Sequence, residues 1–331
     1  MARWPVAGDH WRCGVTGTNV TVRDPHELPD GPLRLLAARA VRADRADGAR
    51  LALSIEGGGL ATSMAAGIAH GLQQLGLLRW VDVVYGTSSG SLVALYAATG
   101  RMSDAAHILE AACTRAFIDL RRVGRRPVVD LEHLLGLSRA RPPALEVDQR
   151  PEARVLAVGV EDGVLRTYGP LTALDDAHGA VRASMSIPFW AGPPSAHDGA
   201  LLADGGLVES IPVATPLREG ATHVLALRSR DARYRKGAPS RFARLVQDPI
   251  VARLAGEIPC LVRERPARYD AEAQLLECAT AGQGDHAGRV AQLAPAPGTP
   301  LVGRLQTDPL RVRGAFSAGT RVALDALARR A

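Results

Sequence analysis

The sequence predicts an α/β fold: a mixed, mainly parallel sheet flanked by helices. Apolar runs of strand length alternate with segments of helical spacing from Leu51 onward, and Asp162-Gly163 marks a hairpin that adds antiparallel strands. Composition agrees. With 331 residues, 47% of them hydrophobic and 22% charged, and mean hydropathy near zero, the chain can bury a full core and is neither disordered nor fibrous.

Residues 1–50 read as an N-terminal extension with no assignable chemistry. A Gly- and Pro-punctuated opening leads to a short helix over 33–45 that stops at Asp47-Gly48. Leu51–Ile55 is then a buried strand. Met64, Ile68, Leu72 and Leu75 recur at helical spacing, 81–85 is a second strand, and Leu92, Leu95, Tyr96 and Thr99 mark a second helix. Strand, helix, strand, helix implies parallel pairing. Residues 155–160 and 164–168 flank the hairpin turn, and 200–203 and His223–Leu227 are further strands. Residues 231–280 are charged and mostly helical in pattern, 289–293 is a last strand, and 315–328 a closing helix.

Charge and cysteine usage exclude several classes. The formal net charge is +6, Lys236 is the one lysine, and arginines cluster at 121, 122, 125 and 126 and at 228, 230, 233 and 235. Such clusters allow a peripheral contact with anionic lipid; no nucleic-acid partner is expected. The longest stretches free of formal charge, 57–78 and 83–100, are loaded with Gly, Ser and Thr, so neither is expected to span a bilayer, and a compact cytoplasmic protein is the expectation. Cys13, Cys113, Cys260 and Cys278 form no C-x-x-C and no cluster with histidine, so neither a metal site nor a disulfide framework is expected.

Three motifs carry the chemistry. Gly86-Thr87-Ser88-Ser89-Gly90 lies where a strand ends and a helix begins, the context of a nucleophile elbow. Gly86 and Gly90 permit the tight turn that lifts Ser88 above the sheet at the positive end of the following helix. Gly57-Gly58-Gly59 follows the preceding strand, and a parallel strand-helix-strand unit brings the two loops side by side. Their backbone N–H groups, with that of Ser89, could hold a tetrahedral oxyanion. As a dinucleotide loop this stretch lacks a third glycine, and a Walker loop is excluded because its lysine cannot be Lys236. Asp204-Gly205-Gly206 ends another strand, and a buried carboxylate there could serve as the serine's base.

Together these residues resemble the patatin-like phospholipase family, with its glycine-rich oxyanion loop, G-x-S-x-G elbow and D-G-G or D-G-A motif. Residues 183–188, Ala-Ser-Met-Ser-Ile-Pro, are similar to the family's A-S-x-x-x-P segment, and 127–131 sits where the family has an aspartate-leucine segment. The resemblance implies a three-layer patatin-like acyl hydrolase domain over 51–331, a Ser88–Asp204 dyad, a lipid or ester substrate and no cofactor. In one place the chain departs from the family: Ala61 occupies the position of the arginine in G-G-G-x-R-G.

Phe189 and Trp190 are candidates for lining an acyl cleft. Three other readings stay open: an α/β-hydrolase triad completed by His223 or His286, an acyltransferase, and a lipid-binding relative without catalysis.

Overall fold

The computed structural model describes residues 21–146, 151–237, 248–253 and 256–329. The chain runs through Thr21–Val22 (β1), Pro32–Arg42 (α1), Leu51–Ile55 (β2), Ser63–Gln74 (α2), Val83–Thr87 (β3), Ser89–Ala98 (α3), Met102–Ala111 (α4) and Leu131–Ala140 (α5). Glu152–Gly159 (β4) and Leu165–Tyr168 (β5) form the expected hairpin, followed by Leu174–Met185 (α6), Ser195–His197 (β6), Ala200–Asp204 (β7), Ala214–Arg218 (α7) and His223–Leu227 (β8). Asp248–Val251 (α8), Ile258–Thr280 (α9), Val290–Leu293 (β9), Pro309–Leu327 (α10) and Ala328–Arg329 (β10) complete it.

The main sheet has the order β6-β7-β4-β3-β2-β8-β9, with β5 paired to β4. The β2–β3, β2–β8, β3–β4 and β8–β9 pairs are parallel; β4–β5, β4–β7 and β6–β7 are antiparallel. The fold is thus the mixed, mainly parallel α/β architecture that the alternation implies. Every residue of β2 and β3 is buried, as expected of parallel strands covered on both faces. Helix α3 is buried along its whole length, and α10 packs along α2.

The segment before β2 does more than precede the sheet. Leu36 and Ala37 of α1 enter the main hydrophobic core, and the fully buried Arg39 pairs with Asp47 and Asp82 at 2.8 and 2.6 Å. β1 pairs with β10, tying residue 21 to the C-terminal end.

The stretch 231–280 is mostly helical where it is described, over Asp248–Val251 and Ile258–Thr280, but 231–237 form no helix and 238–247 lie outside the described residues. There are also more strands than the apolar runs imply: β6 at the edge of the main sheet, and β1 with β10 in a separate two-stranded sheet, carry no sequence signal, because two or three residues show no periodicity. No helix among the described residues is long and apolar enough to cross a membrane.

Candidate active site

Parallel pairing of β2 with β3 aligns Ile55 with Gly86, so both strands deliver their C-terminal loops to one edge of the sheet. The loops touch. A Cβ on Gly57 would stand 2.6 Å from the Thr87 carbonyl oxygen and 2.8 Å from the Ser88 Cβ, and a Cβ on Gly90 would stand 2.5 Å from the Ile55 carbonyl oxygen. Any side chain at either position would therefore push the glycine loop off the elbow.

Ser88 has φ +52° and ψ −134°, a conformation strained for a residue with a side chain, and it caps the N-terminus of α3. The strain is held from two sides. The Ser88 N–H donates to Ser184 Oγ at 2.9 Å, and Ser184 Oγ donates to the Leu156 carbonyl at 2.7 Å. Ser184 belongs to the 183–188 segment, to which the sequence attached a likeness but no role.

Asp204 reaches the same point from the far side of β4. Thr87 pairs with Leu156, and Ala157 pairs with Asp204, so the serine and aspartate sit two strands apart at one level. Ser88 Oγ donates to Asp204 Oδ2 at 2.7 Å, while Asp204 Oδ1 accepts from the Gly206 N–H at 2.7 Å. The carboxyl is fully buried. Burial raises its pKa above the ordinary aspartate value of 3.8, against the opposing pull of Arg265, the Ser88 hydroxyl and the Gly206 amide.

The four amides expected around an oxyanion fall into two pairs. Gly57 N–H donates to the Ser210 carbonyl at 3.4 Å and Gly58 N–H to Ser89 Oγ at 3.0 Å, so these two are engaged within the protein. Ser89 Oγ lies 2.6 Å from Thr62 Oγ1, which in turn donates to the Glu56 carbonyl, bracing the loop. The amides of Gly59 and Ser89 have no hydrogen-bond partner among the described residues.

Glu56 anchors this loop from behind. Its carboxylate accepts from Arg228 Nε at 3.0 Å, the Ser229 N–H at 2.7 Å and the Tyr269 hydroxyl at 2.7 Å. Arg228, grouped from the sequence with cations that could touch lipid, is wholly buried in this ion pair and cannot do so.

A cleft of about 340 Å³ opens in front of Ser88 and Asp204, with apolar walls from Phe117, Ile118, Leu131, Met185, Ile187 and Trp190. Trp190 is one of its lining residues. Phe189 is not among the lining residues: it takes a positive φ of 74° and packs on the cluster of Val158, Ala203 and Leu261. Its ring also meets that of Trp190 edge to face, with centroids 5.0 Å apart.

The histidines proposed for a triad are elsewhere. His223 opens β8 and pairs with Leu51, at the opposite end of the sheet from Ser88. The His286 carbonyl accepts the amides of Arg289 and Val290, and Val290 pairs with Val224 at that same far end. Asp204 keeps Ser88 and Gly206 as its partners.

Ala61 is 1% exposed and packs with Met64, Val302 and Ala315. The position faces an apolar cluster built by the C-terminal segment. Ala61→Arg is therefore expected to lower stability by about 2 kcal/mol or more, from overpacking and a buried unpaired charge, without raising activity. Urea unfolding checks this; an unchanged midpoint would refute it.

A family profile described as patatin-like phospholipase matches residues 53–217. Among solved structures, VipD from Legionella pneumophila is similar at 14% identity and a TM-score of 0.38, over 94% of this chain and 71% of that one, and carries no part of the assignment. No curated protein matches. Through its residues 53–217, which hold the glycine loop, the elbow and the Asp204 turn, this chain belongs to the patatin-like phospholipase family, and membership implies lipid acyl hydrolase activity.

Proposed function

We propose that the protein hydrolyses carboxylic esters of lipids with a Ser88–Asp204 dyad, through an acyl-enzyme. The observation that carries this reading is the 2.7 Å hydrogen bond from Ser88 Oγ to a buried carboxylate, with no histidine hydrogen-bonded to either group among the described residues. Asp204 takes the hydroxyl proton as Ser88 Oγ attacks the ester carbonyl; the tetrahedral oxyanion is held by the Gly59 and Ser89 amides and the α3 N-terminus. Collapse expels the alcohol, which receives the proton from Asp204. Water then attacks the acyl-enzyme with Asp204 again as base, releasing the acid and restoring Ser88.

Labelling with a fluorophosphonate probe tests this. The expected result is a single adduct at Ser88 that is absent in Ser88→Ala; an unlabelled native protein would favour the lipid-binding reading. Transfer of the acyl group to an acceptor other than water uses the same adduct and is told apart by product analysis.

The raised carboxyl gives a pH dependence. As pH falls through the pKa of Asp204 the base is protonated and cannot accept from Ser88, so kcat/KM falls on the acid side, at a pH above the ordinary 3.8. A pH–rate profile that stays flat down to that value would remove Asp204 as the base.

Beside the cleft residues Phe117 and Ile118, Leu120 is 59% exposed and leads into Arg121, Arg122, Arg125 and Arg126. This pairing of an apolar tip with cations supports peripheral contact with an anionic membrane. Vesicle flotation should recover more protein with anionic than with neutral lipid, and Arg121→Glu/Arg125→Glu should abolish the difference. Equal recovery on both lipids would exclude the contact.

A further inference from the structure

Leu261, Arg265, Tyr269 and Glu272 follow one another at intervals of four, four and three residues, so they share one face of α9. That face lies against the strand end that carries Asp204. Leu261 and Ile258 pack with Ala203 and Leu207, which flank the Asp204-Gly205-Gly206 turn. A Cβ on Gly206 would stand 3.0 Å from Asp204 Oδ1 and 3.5 Å from Arg265 Nη2, so the carboxylate and the guanidinium approach the turn at the same point. Arg265 also lines the cleft with Ser88 and Asp204, and it lies outside residues 53–217.

Each of the two groups lacks a contact that would neutralise it. Asp204 is fully buried, and its hydrogen-bond partners, the Ser88 hydroxyl and the Gly206 amide, are both uncharged. An ionised carboxylate in that position is costly to keep without a cation nearby. Burial raises its pKa, and of the influences that pull it back Arg265 is the largest, ahead of Ser88, Gly206 and Lys236. Arg265 Nε is buried without a hydrogen-bond partner. Burial and the nearby Arg304 push the guanidinium down to about 10, with Asp204 its strongest support, so it is a cation near neutrality.

The other charged groups around the pair are engaged elsewhere or largely uncharged. Glu56 is held by Arg228, Ser229 and Tyr269, and Glu209 accepts from the Val213 and Thr215 amides. Glu272 accepts the Ser210 and Ile211 amides, and its burial, with Glu209 close by, lifts its carboxyl to about 8. Lys236 donates to Ser210 Oγ at 3.1 Å, and burial beside Arg265 and Arg304 pushes it well below the usual lysine range. Arg304 opposes the charge of Arg265.

We infer that Arg265 is a positioning residue for the proposed reaction: across the Gly206 turn its guanidinium holds the buried Asp204 carboxyl ionised, in the form that accepts the Ser88 proton. This role rests on Asp204 being the base. It needs no direct contact, because a low-dielectric interior carries the charge through the buried Gly205 and Gly206. The same field weakens the carboxylate as a base once it is ionised, so Arg265 sets the pH range of activity more than the maximal rate. The reaction thereby depends on α9, which the sequence reads only as charged and helical.

The pH dependence of kcat/KM on an uncharged chromogenic ester, for the native chain and Arg265→Gln, tests this. The acid limb is expected to move up by about one pH unit or more, since an opposite charge at short range lowers a carboxyl by about 1–3 units, and most of the rate should return at alkaline pH. An unmoved limb, or a rate lost equally at every pH, overturns the role. If Arg265→Gln does not fold, Asp204→Asn/Arg265→Gln should, because removing both charges leaves neither uncompensated; failure of the double variant as well also overturns it. Fluorophosphonate labelling of native Ser88 and the rate of Asp204→Asn judge the dyad separately. An intact dyad with an unmoved limb in Arg265→Gln therefore removes the role of Arg265 alone.

Discussion

Ester turnover is expected to fall by about ten-thousandfold or more in Ser88→Ala and in Asp204→Asn, and the double variant should be little worse than either. The reason is that the two residues act as one unit in the proposed dyad. Ser88 Oγ donates to Asp204 Oδ2 at 2.7 Å, and the hydroxyl is a weak nucleophile unless that carboxylate takes its proton. The amide introduced by Asp204→Asn would keep an oxygen able to accept from Ser88 or Gly206 but could not hold a proton at neutral pH. The proposed oxyanion donors and the α3 N-terminus remain in all three variants, so a small residual rate is expected from them. Measurement of kcat/KM on a chromogenic short-chain ester, with circular dichroism to verify folding, decides the matter. An Asp204→Asn protein within tenfold of the native rate would remove the dyad.

Arg228→Met is expected to cost about 3–5 kcal/mol of stability, because it leaves the buried Glu56 carboxylate without its cation. Both side chains are out of solvent, and the guanidinium also donates to Tyr269 at 3.1 Å and contacts Gln292. Ser229 and Tyr269 would still donate to Glu56, yet neither supplies a charge. Arg228→Lys retains the charge without the planar fork and should fall between the two. The damage should also reach the active site, since Glu56 immediately precedes Gly57 and orients the loop lying on Ser88. Urea unfolding and ester turnover measured together test this: a loss below about 1 kcal/mol with an unshifted rate would show that the ion pair does not hold the loop.

The sheet was legible from Leu51 onward because parallel strands buried on both faces leave continuous apolar runs, as in Leu51–Ile55 and His223–Leu227. Both coincide with the observed elements, while the second strand is shifted, from 81–85 to Val83–Thr87. Residues 231–237 misled because charged, apolar-poor sequence has the same texture in an exposed helix and in a turn. Of the adjacent aromatics Trp190 lines the cleft, while Phe189, at a positive φ that sequence patterns do not reveal, packs edge to face on the Trp190 ring and against a different core cluster.

Ser88 and Asp204 stand out in the sequence as candidates because each motif is local: glycines at a strand-to-helix junction fix a backbone turn, and that turn dictates where one side chain points. Strand order brought them within 2.7 Å of each other, by setting Leu156 of β4 opposite Thr87 and its neighbour Ala157 opposite Asp204. Arg228, Ser184 and Arg265 carry no local signature. Their partners lie between 28 and 172 residues away where hydrogen bonds define them, as in Ser184–Leu156 and Arg228–Glu56, and such contacts exist only after long-range packing has closed around them. Patterns within a dozen residues reveal backbone conformation, whereas the company a buried charge keeps is settled by which distant segments the core draws together.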